Sequence, residues 1–339
     1  MENINWKNLS FGYIKTDYNV RTYYKDGKWS EPEVTDSEYL NIHIAATALH
    51  YGQEAFEGMK AYRGKDNKIR LFRWRENAKR MINSARGIIM AEVPEELFGE
   101  MIFKAVRMNE KYVPPYGSGA ALYIRPLLFG SGPEVGVRPS AEYTFMVFVT
   151  PVGPYFKGGV KPVNMMICRE VDRAAPLGTG IYKVGGNYAA SLRAIVKARD
   201  LDYANVIFLD AKEKKYIDEC GPANFFAIKG NSYVTPKSDS ILPSITNKSL
   251  IELAESIGMK VEKRKVSIDE LPEFDEAGAC GTAAVISPIG KIFDPETNRV
   301  IDYCKDGKPG EMQMKLYDML TGIQKGDMPD TFDWITILD

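Results

Sequence analysis

One stretch does most to constrain how this chain folds. TPVGPYFKGGVKP, residues 150–162, concentrates proline and glycine and carries little apolar patterning. Proline removes a backbone donor and glycine adds backbone freedom, so such a run reads as a connection between units. It lies near the middle of 339 residues, a length beyond what one hydrophobic core usually serves. Two domains are therefore expected, at 1–153 and 164–339, joined by a linker at 154–163.

Residues 68–73 (KIRLFR) read as a strand, paired with the segment before it through the polar turn Gly64-Lys65-Asp66-Asn67. The segment RENAKRMINSARGIIM reads as a helix over 75–90, because Ala78, Met81, Ile82, Ala85, Ile88 and Ile89 recur at helical spacing. Residues 120–129 and 143–149 read as strands on either side of the loop GSGPEVGVRPS. Beyond the linker come a glycine-rich loop (LGTGIYKVGGN), a helix over 188–199 and a strand over 205–209. Extended segments follow at 215–217 and 224–228, and a further helix begins after Ser244-Ile245-Thr246. Helices and strands alternate without a βαβ rhythm, which favours a mixed α+β arrangement over a doubly wound sheet.

Composition narrows the function. Acidic and basic residues nearly cancel, 45 against 44, so nothing electrostatic points to nucleic acid or to an anionic membrane. The sequence MENINWKNLSFGYIKTDYNV lacks a basic stretch followed by an apolar one, so no signal peptide is expected. No apolar run approaches the length of a membrane span. Cys168, Cys220, Cys280 and Cys304 lie far apart, with no C-x-x-C pair. A disulfide framework or thiolate metal site is not expected, and a reducing cytoplasm is. With His43 and His50 as the two histidines, histidine chemistry has little to work with.

Several residues stand out, each beside an ordinary alternative. Lys183, in GTGIYKVGGN, is flanked by glycines that let a backbone approach a ligand. Partial burial would lower its pKa and make it an amine nucleophile toward an aldehyde; the alternative is a solvated loop lysine. Glu219, before Gly221-Pro222, suits a hydrogen bond from a protonated ring nitrogen, or else is a turn-flanking acid facing water. Arg80 falls off the apolar stripe of its helix, on the face shared with Asn77 and Ser84. It is a phosphate clamp or an ordinary solvated arginine. LPSITNKSLIELAESIG leads a Ser/Thr turn into an amphipathic helix, where the N–H groups of Ile245 and Thr246 would face an anion; simple capping serves as well. In ALYIRPLLF, Tyr123 and Arg125 point to one face of a strand. A buried Arg125 needs a carboxylate, from the protein or from a substrate. In ACGTAAVISP, Thr282 offers a hydroxyl and an N–H to an anion, or the segment is a buried strand end.

Together, LHYGQEAFEGMKAY, RENAKRM, YIRPLLF, YKVGGNY, IDECGPANFF, LPSIT and GTAA resemble the successive motifs of branched-chain-amino-acid aminotransferases. These belong to the class IV, D-amino-acid-aminotransferase-like family of pyridoxal-phosphate enzymes. The resemblance runs from about Trp29 to DWITIL at the C-terminal end. It implies a two-domain fold type IV protein: a smaller N-terminal α/β domain and a larger, mixed β-barrel-like C-terminal domain with pyridoxal 5'-phosphate between them. It implies that Lys183 holds the cofactor as a Schiff base and moves the α-proton. Tyr188 would bond the cofactor's phenolic oxygen and Glu219 its ring nitrogen. Arg80, Ile245, Thr246 and Thr282 would hold its phosphate. Tyr123 and the amides of Ala283 and Ala284 would take the substrate's α-carboxylate. Arg125, helped by Tyr51, would receive the side-chain carboxylate of glutamate, and Phe56 would line the apolar pocket.

By the same resemblance the reaction is reversible ping-pong transamination of L-leucine, L-isoleucine and L-valine with 2-oxoglutarate. The partners would be small molecules, without nucleic acid, membrane or metal, and the assembly a homodimer or larger. The loop PEVGVRP, 133–139, matches the segment that reaches a neighbouring subunit's site. Two departures are visible. AVIS stands where mammalian forms carry a redox C-x-x-C, and Pro222 stands where some relatives have threonine. A D-amino-acid aminotransferase or an aminodeoxychorismate lyase is the alternative, and neither needs the Tyr123-x-Arg125 pair.

Overall fold

The computed structural model describes residues 4–156 and 158–338; Lys157, in the expected linker, lies outside them. The chain forms two compact units. Unit 1 comprises Met1–Tyr155, Tyr182–Gly185 and Gly322–Asp339, and unit 2 comprises Phe156–Ile181 and Gly186–Thr321. The chain first passes from one to the other between Tyr155 and Phe156.

In chain order the first unit contains strands β1 (Asn19–Lys25), β2 (Lys28–Trp29) and β3 (Glu33–Thr35), then helix α1 (Thr47–Tyr51). Next come β4 (Glu54–Phe56), β5 (Met59–Arg63), β6 (Ile69–Phe72), α2 (Trp74–Gly87) and α3 (Glu95–Met108). β7 (Ala121–Gly130) and β8 (Tyr143–Val152) follow. A nine-stranded sheet results among the described residues, with the long antiparallel pair β7–β8 at its centre. Strand alternation sorts β7 cleanly. Leu122, Ile124 and Leu128 enter the core with Met81 of α2, Phe98 and Ile102 of α3, and Phe145 of β8. Tyr123 and Arg125 therefore point to the other face. Each large apolar side chain so buried contributes roughly 1.5–3 kcal/mol.

The second unit contains β9 (Val163–Cys168), α4 (Gly185–Asp200), β10 (Asn205–Leu209), β11 (Ile217–Cys220) and β12 (Ala223–Lys229). β13 (Ser232–Pro236), α5 (Ile245–Ser256), β14 (Lys260–Arg264), β15 (Glu276–Gly281), β16 (Val285–Asp294), β17 (Arg299–Asp302) and α6 (Glu311–Lys325) follow. The last strand, β18 (Ile335–Leu338), pairs with β6 in the first unit's sheet. The strand order β11-β10-β9-β16-β15-β12 closes on itself through β11–β12, forming a barrel. Period-two alternation again decides what faces where. Met165, Ile167, Ile207 and Leu209 fill one core, while Met166, Cys168, Val206 and Phe208 pack with Ala194, Ile195 and Ala198 of α4.

The α+β class is as expected, and four element boundaries differ. β8 runs on through Pro151, whose position pairs with Leu122, so the strand enters the Pro/Gly stretch. α2 stops at Gly87 rather than Met90, because Ile89 takes a left-handed backbone (φ 53°). α4 begins at Gly185, one turn before Tyr188. Of the extended segment 215–217, Tyr216 forms an isolated β-bridge with Ser267 while its N–H and that of Lys215 donate to Asp210 Oδ1, and the strand itself runs from Ile217 to Cys220.

Candidate active site

Lys183 is fixed through its backbone. Its N–H donates to Ser84 Oγ at 2.9 Å, and its carbonyl accepts from the Phe56 N–H at 3.1 Å. Val184 is buried and bridges to Ala55 on β4. At Gly185 a Cβ would lie 1.9 Å from Glu54 Oε1, so a larger residue there would have to displace the Glu54 carboxylate. Burial there raises the Glu54 pKa above its ordinary value. The Lys183 side chain is half-buried, with Nζ 4.6 Å from the centre of the Phe56 ring. The Arg125 guanidinium lies 5.0 Å from the same ring, so two cations face one aromatic surface.

Arg80 is not an ordinary solvated arginine. Its Nε and Nη2 donate to the two carboxylate oxygens of Glu57 at 2.7 and 2.8 Å. Glu57 is 0% exposed and also accepts from Asn77 Nδ2 at 2.7 Å. Asn77, Arg80 and Ser84 thus form a second inward-facing side of α2, beside the apolar stripe. Glu57 holds one edge of the guanidinium in a planar, bidentate pair and so fixes its direction.

On β7, Arg125 Nη2 donates to Tyr123 Oη at 3.1 Å, and the guanidinium also lies over the Tyr123 ring. Phe11 meets Tyr123 edge-on at 5.1 Å. A Cβ at Gly58 would lie 2.1 Å from Tyr123 Oη, so this glycine makes room for the phenol. Arg125 Nε is buried without a hydrogen bond, and no acidic side chain among the described residues pairs with this arginine. The structural ion pair considered from the sequence is not what holds it. Tyr51, at the end of α1, donates its hydroxyl to the Val135 carbonyl.

Lys60, directly opposite Tyr123 on β5, shares this face. Burial, and then the like charge of Lys325, push its ammonium down to about 8. The unfolded chain therefore binds more protons between about 8 and the ordinary 10.5, so the Lys60 contribution to stability rises with pH across that window. Lys60→Met is expected to flatten that rise. Urea midpoints of both proteins at about pH 7 and about pH 10 check it; equal slopes would contradict it.

In unit 2, Glu219 lies within β11, next to its last residue, and is 3% exposed, not a solvated turn acid. Its Oε1 accepts from the Leu242 N–H at 2.7 Å. Two residues on, Ser244 caps α5, its Oγ accepting from the Asn247 N–H at 3.2 Å. Ile245 and Thr246 open that twelve-residue helix and are both buried. Their N–H groups have no partner within the helix by its geometry. The capping alternative is realised at Ser244, whose hydroxyl serves the Asn247 N–H and not those two groups. Thr282, Ala283 and Ala284 form the tight turn from β15 to β16, half-buried. Val285 closes it with a positive φ of 66°, a strained conformation for a β-branched residue. Tyr188 lies in the first turn of α4, half-buried, its carbonyl accepting from Ser191 Oγ.

Unit 1 thus brings together Lys183, Phe56, Tyr123 and Arg125 and orients Arg80 separately through Glu57. Unit 2 carries Tyr188, Glu219, Ile245, Thr246, Thr282, Ala283 and Ala284. Sequence reasoning missed Glu57, Gly58 and Lys60. The signal for Glu57 was present: Asn77, Arg80 and Ser84 recur at helical spacing, so a second side of α2 needed a buried polar partner.

A family model described as amino-transferase class IV matches residues 54–292. The chain is 49% identical over 342 residues to the branched-chain-amino-acid aminotransferase of Haemophilus influenzae, covering 99% of each. It is 47% identical over 338 residues to that of Helicobacter pylori, covering 99% of this chain and 98% of that one. A crystal structure of the Escherichia coli branched-chain amino acid aminotransferase matches with a TM-score of 0.81 at 28% identity, covering 96% of this chain and 100% of that one. The T.th. branched-chain amino acid aminotransferase with pyridoxamine 5'-phosphate matches with a TM-score of 0.79 at 26% identity, over 96% and 100%.

Proposed function

Because this chain belongs to the class IV aminotransferase family, we propose that it transfers the amino group reversibly between L-leucine, L-isoleucine or L-valine and 2-oxoglutarate, using pyridoxal 5'-phosphate. The observation that carries the substrate choice is Arg125. It stands beside the Phe56 ring and Tyr123 with a buried Nε that has no protein acceptor. An apolar surface with one unmatched guanidinium suits aliphatic side chains in one half-reaction and a carboxylate in the other. A D-amino-acid aminotransferase or an aminodeoxychorismate lyase does not need the Tyr123-x-Arg125 pair.

The donor set fits the cofactor. An oriented guanidinium at Arg80 and the first N–H groups of α5 suit a phosphate dianion, with Thr282 adding a hydroxyl. A buried carboxylate at Glu219 suits a ring N–H. When bound, pyridoxal phosphate supplies an aldehyde that captures an amine and a ring that withdraws electrons. Lys183 Nζ is the amine that holds it and the base that moves the proton at the substrate's Cα. Tyr188 would hold the cofactor's phenolic oxygen, and Glu219 would keep a proton on its ring nitrogen. Tyr123 and the amides of Ala283 and Ala284 take the α-carboxylate, and the tight turn closed by Val285 fixes those amides in place. Phe56 covers the aliphatic side chain and excludes water from it. Arg125, with Tyr51, receives the second carboxylate of glutamate. One site serving both substrates in turn gives ping-pong kinetics.

We further propose two domains at 1–153 and 164–339 joined at 154–163, a homodimer, and a cytoplasmic setting. Val135 and Val137, 84% and 88% exposed in the 133–139 loop, support the dimer, since a second copy would cover them.

Glutamate formation from leucine and 2-oxoglutarate by the purified holoenzyme tests the activity; its absence, with turnover of a D-amino acid instead, would overturn the proposal. Arg125→Met tests the dual specificity. It is expected to lower kcat/KM for 2-oxoglutarate by about 10²-fold or more, because an unpaired substrate carboxylate costs about 2–4 kcal/mol, while leucine changes several-fold at most. Equal losses for both substrates would contradict it.

A further inference from the structure

Arg173 lies in unit 2, in the segment after β9, and its side chain is 7% exposed. Its Nε lies 3.5 Å from Glu219 Oε2, and its Nη2 donates to the Ser240 carbonyl. Ser240 is fixed in turn: its hydroxyl donates to Asp218 Oδ2 at 2.6 Å, and its N–H to Ser238 Oγ at 3.2 Å. Two residues on, Leu242 donates its N–H to Glu219 Oε1. One short segment, 238–242, therefore places both the arginine and the carboxylate.

The groups around Glu219 are of mixed character. The Cys220 and Cys280 thiols are pushed up chiefly by burial, with the Glu219 charge contributing, so both stay neutral. Asp218 turns its carboxylate to Ser238 and Ser240. Arg173 brings a positive charge to the other carboxylate oxygen. A carboxylate taken out of water loses stability in its charged form and competes for any proton beside it. A fixed guanidinium reverses that preference.

We infer that Arg173 is a positioning residue: it keeps the Glu219 carboxylate ionised and aimed, so that the proton shared with the cofactor's ring nitrogen stays on the ring. This rests on the proposed contact of Glu219 with that nitrogen. Without Arg173 the proton passes from the ring nitrogen to Glu219 Oε, the N–H bond breaking as the O–H bond forms, and the ring loses its electron-withdrawing charge.

The test compares holoenzymes of wild type, Arg173→Gln, Arg173→Lys and Glu219→Gln. Absorbance of the bound cofactor is followed against pH, with kcat and KM for leucine. Glu219→Gln and Arg173→Gln are both expected to lower the ring-nitrogen midpoint by about one pH unit or more, a tenfold change in proton affinity. kcat falls about tenfold or more while KM changes little, because the loss is confined to the transition state. Arg173→Lys keeps the charge and is expected to titrate like wild type. A wild-type titration in Arg173→Gln, with Glu219→Gln shifted, would overturn the inference and leave the Glu219 contact standing. An unshifted Glu219→Gln would overturn that contact itself, and the inference with it. Where Arg173→Gln does not fold, Arg173→Lys decides: a wild-type midpoint supports the role, and a shift of a unit overturns it.

Discussion

Lys183→Ala is expected to lower turnover of leucine with 2-oxoglutarate by at least about 10⁴-fold, because under the proposed mechanism one substitution removes both the amine that would hold the cofactor and the base that would move the Cα proton. The fold should survive. Lys183 is held through its N–H to Ser84 and its carbonyl to Phe56, and neither bond involves the side chain. Truncation also removes a cation from beside the Phe56 ring, a contact worth about 0.5–2 kcal/mol. The melting temperature of the apoenzyme should therefore move by only a few degrees. Steady-state rates and a thermal melt check both halves. Residual turnover within tenfold of wild type would remove Lys183 from the chemistry.

Glu57→Ala is expected to have the largest effect on stability. It takes the bidentate carboxylate away from Arg80, whose side chain is only 11% exposed, and leaves Asn77 Nδ2 without its 2.7 Å acceptor. Removing one partner of a buried pair typically costs about 3–5 kcal/mol. Urea unfolding followed by far-UV circular dichroism measures it. A loss below about 1 kcal/mol would mean that the pair is solvated in solution. Cofactor affinity should fall as well, because the guanidinium loses its fixed direction. Glu57→Gln, which keeps the shape and one acceptor oxygen, should lose less on both measures.

The sequence of α2 shows how far periodicity carries. Ala78, Met81 and Ala85 announce the apolar stripe because a helix repeats every 3.6 residues, and all three are fully buried. The end of the helix was not legible, since Ile88 and Ile89 continue the apolar pattern while the backbone turns left-handed at Ile89. The start of α4 was hidden for a related reason. Gly185 and Gly186 have poor helix propensity, so their residue types gave no sign that the helix opens there.

The family was legible in the order and spacing of the motifs that carry Lys183, Glu219 and Arg80, and the class IV match bears it out. Their surroundings were not, because each is set by residues distant in sequence. Leu242 and Arg173 surround Glu219, and Glu57 fixes Arg80 across 23 positions. Alternation on β7 gave the shared face of Tyr123 and Arg125. It could not say whether a protein acid waited for Arg125, and among the described residues none does.

The most direct test of the proposed specificity is a single-turnover panel. Holoenzyme is mixed with one amino acid at a time, without 2-oxoglutarate, and the absorbance of the bound cofactor is followed. L-leucine, L-isoleucine, L-valine and L-glutamate should each convert it, while D-alanine leaves it unchanged. Conversion by D-alanine with no response to the three branched-chain amino acids would contradict the proposal.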